Sequence, residues 1–156
     1  SEMKEEDVHR RTEEVLRSCL GEVPFLTIET VRPEPTGEEE SQPDFIVELR
    51  NANKRSRLVV EAKANGQPRF ARSAAQQLRR YLGDEEYGVL IAPYVSERSA
   101  SILSEEGIGF VDLAGNCHLC FNRLYVRREG RENPFSESRE LKSLLPRRPA
   151  ACFARF

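Results

Sequence analysis

The chain is 156 residues long, 38% apolar and 32% charged, with a net charge of −2, which predicts a polar globular protein large enough to bury a core. No apolar run approaches the roughly 20 residues that a membrane-spanning helix needs, and the charged opening SEMKEEDVHRR has no signal-peptide core. A membrane partner is therefore not expected, and a cytoplasmic location is.

Residues 4–20 carry Val8, Thr12, Val15, Leu16, Cys19 and Leu20 as one stripe at helical spacing, with Gly21 as a stop. Glu13 borders that stripe. Residues 25–31 have the pattern of a strand. Residues 32–42, with two prolines, Gly37 and three consecutive glutamates, have the composition of a mobile loop. Strands over 44–50 and 57–63 follow, joined by Asn51-Ala52-Asn53-Lys54, a polar link of hairpin length. The spacing of Ala71, Ala75, Leu78 and Leu82 predicts a helix over 70–82, with Gln77 and Tyr81 at its border. Residues 87–92 form a continuous apolar run, as expected of a strand buried on both faces. Ser96 is a candidate N-cap for a helix that ends at Gly107. A strand over 108–113, a turn at Gly115-Asn116 and a strand over 117–127 complete the regular pattern. Residues 136–145 have the pattern of a short helix, after which Pro146 and Pro149 break the chain. Residues 1–130 are thus expected to be the main domain and residues 131–156 a C-terminal extension. The order of elements predicts an α/β fold whose sheet mixes antiparallel and parallel pairs.

The cysteines Cys19, Cys117, Cys120 and Cys152 do not suggest a disulfide framework in a chain of this size and setting. Cys117 and Cys120 have the spacing of half a zinc site, but no second ligand pair exists. On a strand they would also point to opposite faces. Charge is unevenly distributed: residues 1–40 hold 12 acidic and 5 basic groups, whereas residues 50–80 hold 9 basic groups and one acid, Glu61. Such a basic stretch, which includes Arg69, Arg72 and Arg80, suits the phosphates of a nucleic acid.

The lone acid sits in Leu58-Val59-Val60-Glu61-Ala62-Lys63. Alternation along a strand puts Glu61 and Lys63 on one face with Val59. Asp44, after Pro43, opens the neighbouring strand. Two such carboxylates with the Ala62 carbonyl form an oxygen-rich set that suits Mg²⁺ or Mn²⁺. Lys63 beside them can orient an attacking water or stabilise charge on a phosphate. Gln77 and Tyr81, four apart, lie on one side of their helix.

Asp44, then Glu61-x-Lys63, then Gln77-x-x-x-Tyr81, in this order and setting, resembles the PD-(D/E)xK nuclease superfamily over about residues 4–93. The resemblance implies a restriction-endonuclease-like αβββαβ core, here followed by an extra helix and hairpin. It implies that Asp44 and Glu61 bind a divalent metal and that Lys63 is catalytic. Gln77 and Tyr81 match a pattern of RecB-like and phage exonuclease-type members, in which that helix supports the site and touches DNA. Some members take a further metal ligand from the first helix, and Glu13 is the candidate here. The expected activity is hydrolysis of DNA phosphodiester bonds, with RNA left open.

Two other readings compete. The stretch from Gly107 to Asn116 is also similar to one in bacterial and archaeal proteins that join this kind of domain to a winged-helix DNA-binding region, some of them regulators or antitoxin-like. On that reading the chain is a non-catalytic DNA-binding module, with residues 133–145 leading toward a further one. The last reading is an interaction domain that forms a homodimer through the Phe153 and Phe156 tail.

Overall fold

The structure, a computed structural model, describes residues 3–33, 43–122 and 124–135. Most of the acidic loop, the helix expected over 136–145 and the Phe153/Phe156 tail lie outside the described residues. The elements run α1 (Glu5–Leu20), β1 (Leu26–Pro33), β2 (Phe45–Asn51), β3 (Lys54–Ala62), α2 (Pro68–Tyr81), β4 (Glu86–Ala92), α3 (Glu97–Glu105), β5 (Gly109–Asp112), β6 (Cys117–Phe121) and β7 (Leu124–Arg128). They build one seven-stranded sheet whose spatial order is the chain order. β1, β2 and β3 pair antiparallel, β3, β4 and β5 parallel, and β5, β6 and β7 antiparallel again. The parallel pairs are those whose connections contain α2 and α3, because a parallel crossover needs a helix-length link. The α/β class with a mixed sheet is thus observed.

Local chemistry explains the boundaries. α1 begins with Glu5, Glu6 and Asp7, which favour the positive end of its dipole. The Asp7 carboxylate accepts the Lys4 N–H at 3.2 Å. Pro68 opens α2, where a missing N–H costs nothing. Ser96 caps α3 as its sequence predicts, its hydroxyl accepting the Ser99 N–H at 3.2 Å. The β2–β3 hairpin turns more tightly than expected, with Ala52 at φ 54°, so β3 starts at Lys54. The strand expected over 117–127 is instead two strands. Asn122, at φ 45°, folds the chain back there, since Asn tolerates the left-handed region better than most residues.

The sheet is covered on both faces. On one, Val8, Leu16 and Leu20 of α1 join Val47, Leu58, Val60 and Ile91. On the other, Ala71, Ala75 and Leu78 of α2 and Leu103 of α3 join Val59, Leu90 and Phe110. Leu58 to Ala62 are all buried, as a central strand between two helical layers requires. Gly66 fixes the exit from β3. It bridges Val95, and a Cβ there would collide with the Tyr94 carbonyl oxygen. No described helix is long and apolar enough to cross a membrane.

Candidate active site

The β2–β3 register brings the first two carboxylates together. Phe45 pairs with Val60, so the residue before Phe45 falls beside the residue after Val60. Asp44 accepts the Ala62 N–H on its Oδ2 at 2.8 Å, and its charge acts on the neighbouring Glu61 carboxyl. Lys63, just past β3, keeps its backbone in the ladder by donating its N–H to the Ile91 carbonyl at 2.9 Å. Its Nζ lies 3.5 Å from Glu61 Oε2. Three residues separated in sequence thus meet on the α2 side of the sheet.

The electrostatics of Glu61 are unusual. It is only 2% exposed, and its Oε1 has no hydrogen-bond partner. Burial first, then the Asp44 charge, push its carboxyl up to about 8, against the opposing pull of Lys63. Desolvating two adjacent carboxylates with one ammonium leaves too little positive charge to keep both ionised. Near neutral pH, Glu61 therefore holds a proton close to Asp44, and its free oxygen remains unspent.

The other expected residues divide. Gln77 donates its amide to the Tyr81 hydroxyl at 2.9 Å. Tyr81 and Ile46, the latter two residues after Asp44, each pack against the core cluster on the α2 face. Arg69, Arg72 and Arg80 are exposed on α2, with the Arg69 guanidinium 4.6 Å above the Phe70 ring. Glu13 does not join the three. Its side chain is exposed and pairs with Arg17 at 3.4 Å, on a helix that packs against the other face. The basic stretch is also less basic than its sequence implies. Glu29 pairs with Arg50 and Arg55, Glu48 and Glu86 with Arg57, and Glu106 with Arg79.

Cys117 and Cys120 do not pair as metal ligands: Cys120 is disulfide-bonded, against the expectation that the cysteines form no disulfide, whereas Cys117 is a free thiol. Cys117 points to the α1 face, with its Sγ 2.9 Å from Cys19 Sγ. Among the described residues no three or more His, Cys, Asp or Glu side chains gather as a metal-holding group. Asp112 has a structural explanation: it accepts the N–H groups of Val95, Ala114 and Asn116 and the Asn116 side-chain amide. Several residues were not anticipated. His9 lies against Phe45 with ring centroids 4.2 Å apart. Tyr94 walls a groove of about 370 Å³ that begins at Ala64 and Asn65, next to Lys63. His118 borders a second hollow. The alternation of β6 was the available signal for His118, since it opposes the Cys117 and Leu119 that face α1.

No protein-family model and no curated protein matches the chain. Among solved structures it is similar to one of an EndoMS–dsDNA complex, at 21% sequence identity and a TM-score of 0.39. That match covers 71% of this chain and 45% of the other, so the chain spans less than half of that protein's length. A likeness this slight carries no argument about function.

Proposed function

We propose that the chain is a nuclease of the restriction-endonuclease-like kind, hydrolysing DNA phosphodiester bonds with the help of Mg²⁺ or Mn²⁺. The observation that carries this reading is the meeting of Asp44, Glu61 and Lys63, with a buried Glu61 oxygen left without a partner. A purely structural ion pair would not gain from that arrangement, whereas a hard divalent cation would use it. The donors fit such a cation: two carboxylates and the Ala62 carbonyl offer oxygen, and magnesium typically takes one or two carboxylates beside water and substrate phosphates. When bound, the cation would lower the pKa of the attacking water and offset charge growing on the phosphate.

The chain's own residues supply the rest. The Ala62 N–H holds the Asp44 carboxylate in one orientation. Glu61 must lose its proton to act as a ligand, so cation binding near pH 7 releases one. Lys63 places an ammonium where it can orient the water or share the charge on the reacting phosphate. Arg69, Arg72 and Arg80 hold the strand by its phosphates, and the Gln77–Tyr81 pair braces α2 behind the site.

The test is cleavage of single- and double-stranded DNA in Mg²⁺ or Mn²⁺. Asp44→Ala and Lys63→Ala should each lower the rate by about a hundredfold or more, the scale of losing one electrostatic or general-acid–base contribution. A wild-type protein that cuts neither substrate, yet binds DNA equally well in EDTA, would instead be a non-catalytic DNA-binding module.

A further inference from the structure

Alternation along β6 and β7 sorts their side chains onto two faces. Cys117, Leu119 and Phe121 of β6 and Leu124 and Val126 of β7 join the core on the α1 side. His118, Cys120 and Tyr125 therefore fall on the other side of the sheet, the one that carries α2 and α3. The core there ends at Phe110 of β5 and takes no residue from β6 or β7. Cys120 pairs with Tyr125 across the hairpin. Tyr125 is 49% exposed, and the His118 ring meets it edge-on with centroids 5.8 Å apart. An exposed tyrosine thus stands beside Cys120, past the end of the α2–α3 core.

Cys120 is disulfide-bonded. The chain has four cysteines, so the bond needs one of the other three. Cys19 and Cys117 are free thiols that face each other on the α1 side. Only Cys152 is left. It stands 17 positions after Phe135, the last described residue, and a chain of that length reaches up to about 56 Å at roughly 3.3 Å per residue. Seven strands spaced about 4.8 Å apart span only about 29 Å, so the reach covers the whole width of the sheet. The composition around Cys152 suits the place as well. Apart from Cys152 and Arg155, residues 150–156 are Ala150, Ala151, Phe153, Ala154 and Phe156, and such a segment gains by covering apolar surface.

We propose that Cys120 and Cys152 form a clasp that lays residues 150–156 over the β6–β7 hairpin, beside Tyr125. The occupant of this surface is the chain's own C-terminal segment, not a second copy. The bond closes by two exchanges with a small-molecule disulfide such as oxidised glutathione. The Cys152 thiolate attacks it and expels one glutathione thiolate. The Cys120 thiolate then attacks the Cys152 sulfur, forms the protein disulfide and expels the second. The two electrons and two protons given up by the protein end on the two glutathione thiols. A reducing dithiol reverses both steps and frees the segment, so the cover is redox-dependent.

The experiment starts from protein incubated with oxidised glutathione. Iodoacetamide under denaturing conditions should leave Cys120 and Cys152 unlabelled. After trypsin, mass spectrometry should show the peptide that holds Cys120 joined to the one that holds Cys152, with fragmentation putting the link at Cys120 rather than Cys117. The protein should run as a monomer on a non-reducing gel. Hydrogen exchange then reads the cover. The amides of residues 150–156 should be protected in the oxidised protein and lose that protection when a phosphine reductant opens the bond. Phe153→Ser combined with Phe156→Ser should keep the disulfide and lose the protection, which separates bond from cover. A free Cys152 thiol after oxidation, or a disulfide-linked dimer, would overturn the clasp. A closed bond with residues 150–156 unprotected would overturn the cover. Neither DNA nor metal enters these measurements, so their failure leaves the nuclease reading intact.

Discussion

Glu61 couples the site to the stability of the protein. In the unfolded chain its carboxyl titrates near 4.5, whereas in the folded protein it is pushed up to about 8. Between those values the native state holds the extra proton. Stability should therefore fall as pH rises through that window and level off above about 8. Glu61→Gln removes the effect, because an amide cannot ionise. From pH 5 to pH 8.5 the wild type should lose on the order of a few kcal/mol relative to that variant, as a pKa rise of this size implies. Urea denaturation at the two pH values measures it. Adding Mg²⁺ at pH 8.5 should restore stability to the wild type and not to Glu61→Gln. Parallel responses in the two proteins would mean that Glu61 ionises freely and that the case for a cation there is lost.

At the scale of elements, α2 is the surface on which the nucleic acid is expected to lie. Among the described residues, Arg69, Arg72 and Arg80 enter no ion pair, whereas Arg57 is held by Glu48 and Glu86. An arginine already neutralised releases no counterion when a phosphate arrives. Replacing Arg72 and Arg80 with Gln should weaken DNA binding. It should also flatten the slope of log K against log salt by about 0.7–0.9 for each phosphate that the protein no longer neutralises. Arg57→Gln should change neither, and anisotropy titrations over a salt series distinguish the two. This contrast was hidden in the sequence, where residues 50–80 show a single acid. The neutralising glutamates come from β1, β2, β4 and the end of α3, and only the folded sheet brings them alongside. Asp44 and Glu61-x-Lys63 were legible for the opposite reason. A two-residue period and a hairpin of short, fixed length determine which residues fall side by side. The fold of β6 onto β7 was not legible, because Asn122 makes the left-handed turn without the Gly or Pro that usually marks one.

For the molecule as a whole, a sheet that keeps chain order needs something to tie its far half to its near half at the rim where the site lies. α1, β2, β3, α2 and β4 follow from apolar periodicity, and the sequence separates them cleanly. Asp112 was legible only as part of a turn, since its partners come from separate places in the chain. One carboxylate gathers the Val95 N–H from the β4–α3 loop, the Ala114 and Asn116 N–H groups from the β5–β6 turn, and the Asn116 amide. Asn116 in turn exchanges hydrogen bonds with the Arg131 backbone beyond β7. Asp112 is 1% exposed, so its removal strands these donors away from water. Asp112→Ala should cost about 3 kcal/mol or more, since each buried donor left unpaired costs about 1–3 kcal/mol. Urea denaturation gives the total, and hydrogen exchange locates it. If the carboxylate clamps the rim, the amides of Val95, Ala114 and Asn116 should lose protection together. Loss confined to Ala114 and Asn116 would reduce Asp112 to a local turn staple, and the Tyr94 wall of the groove would then need another support.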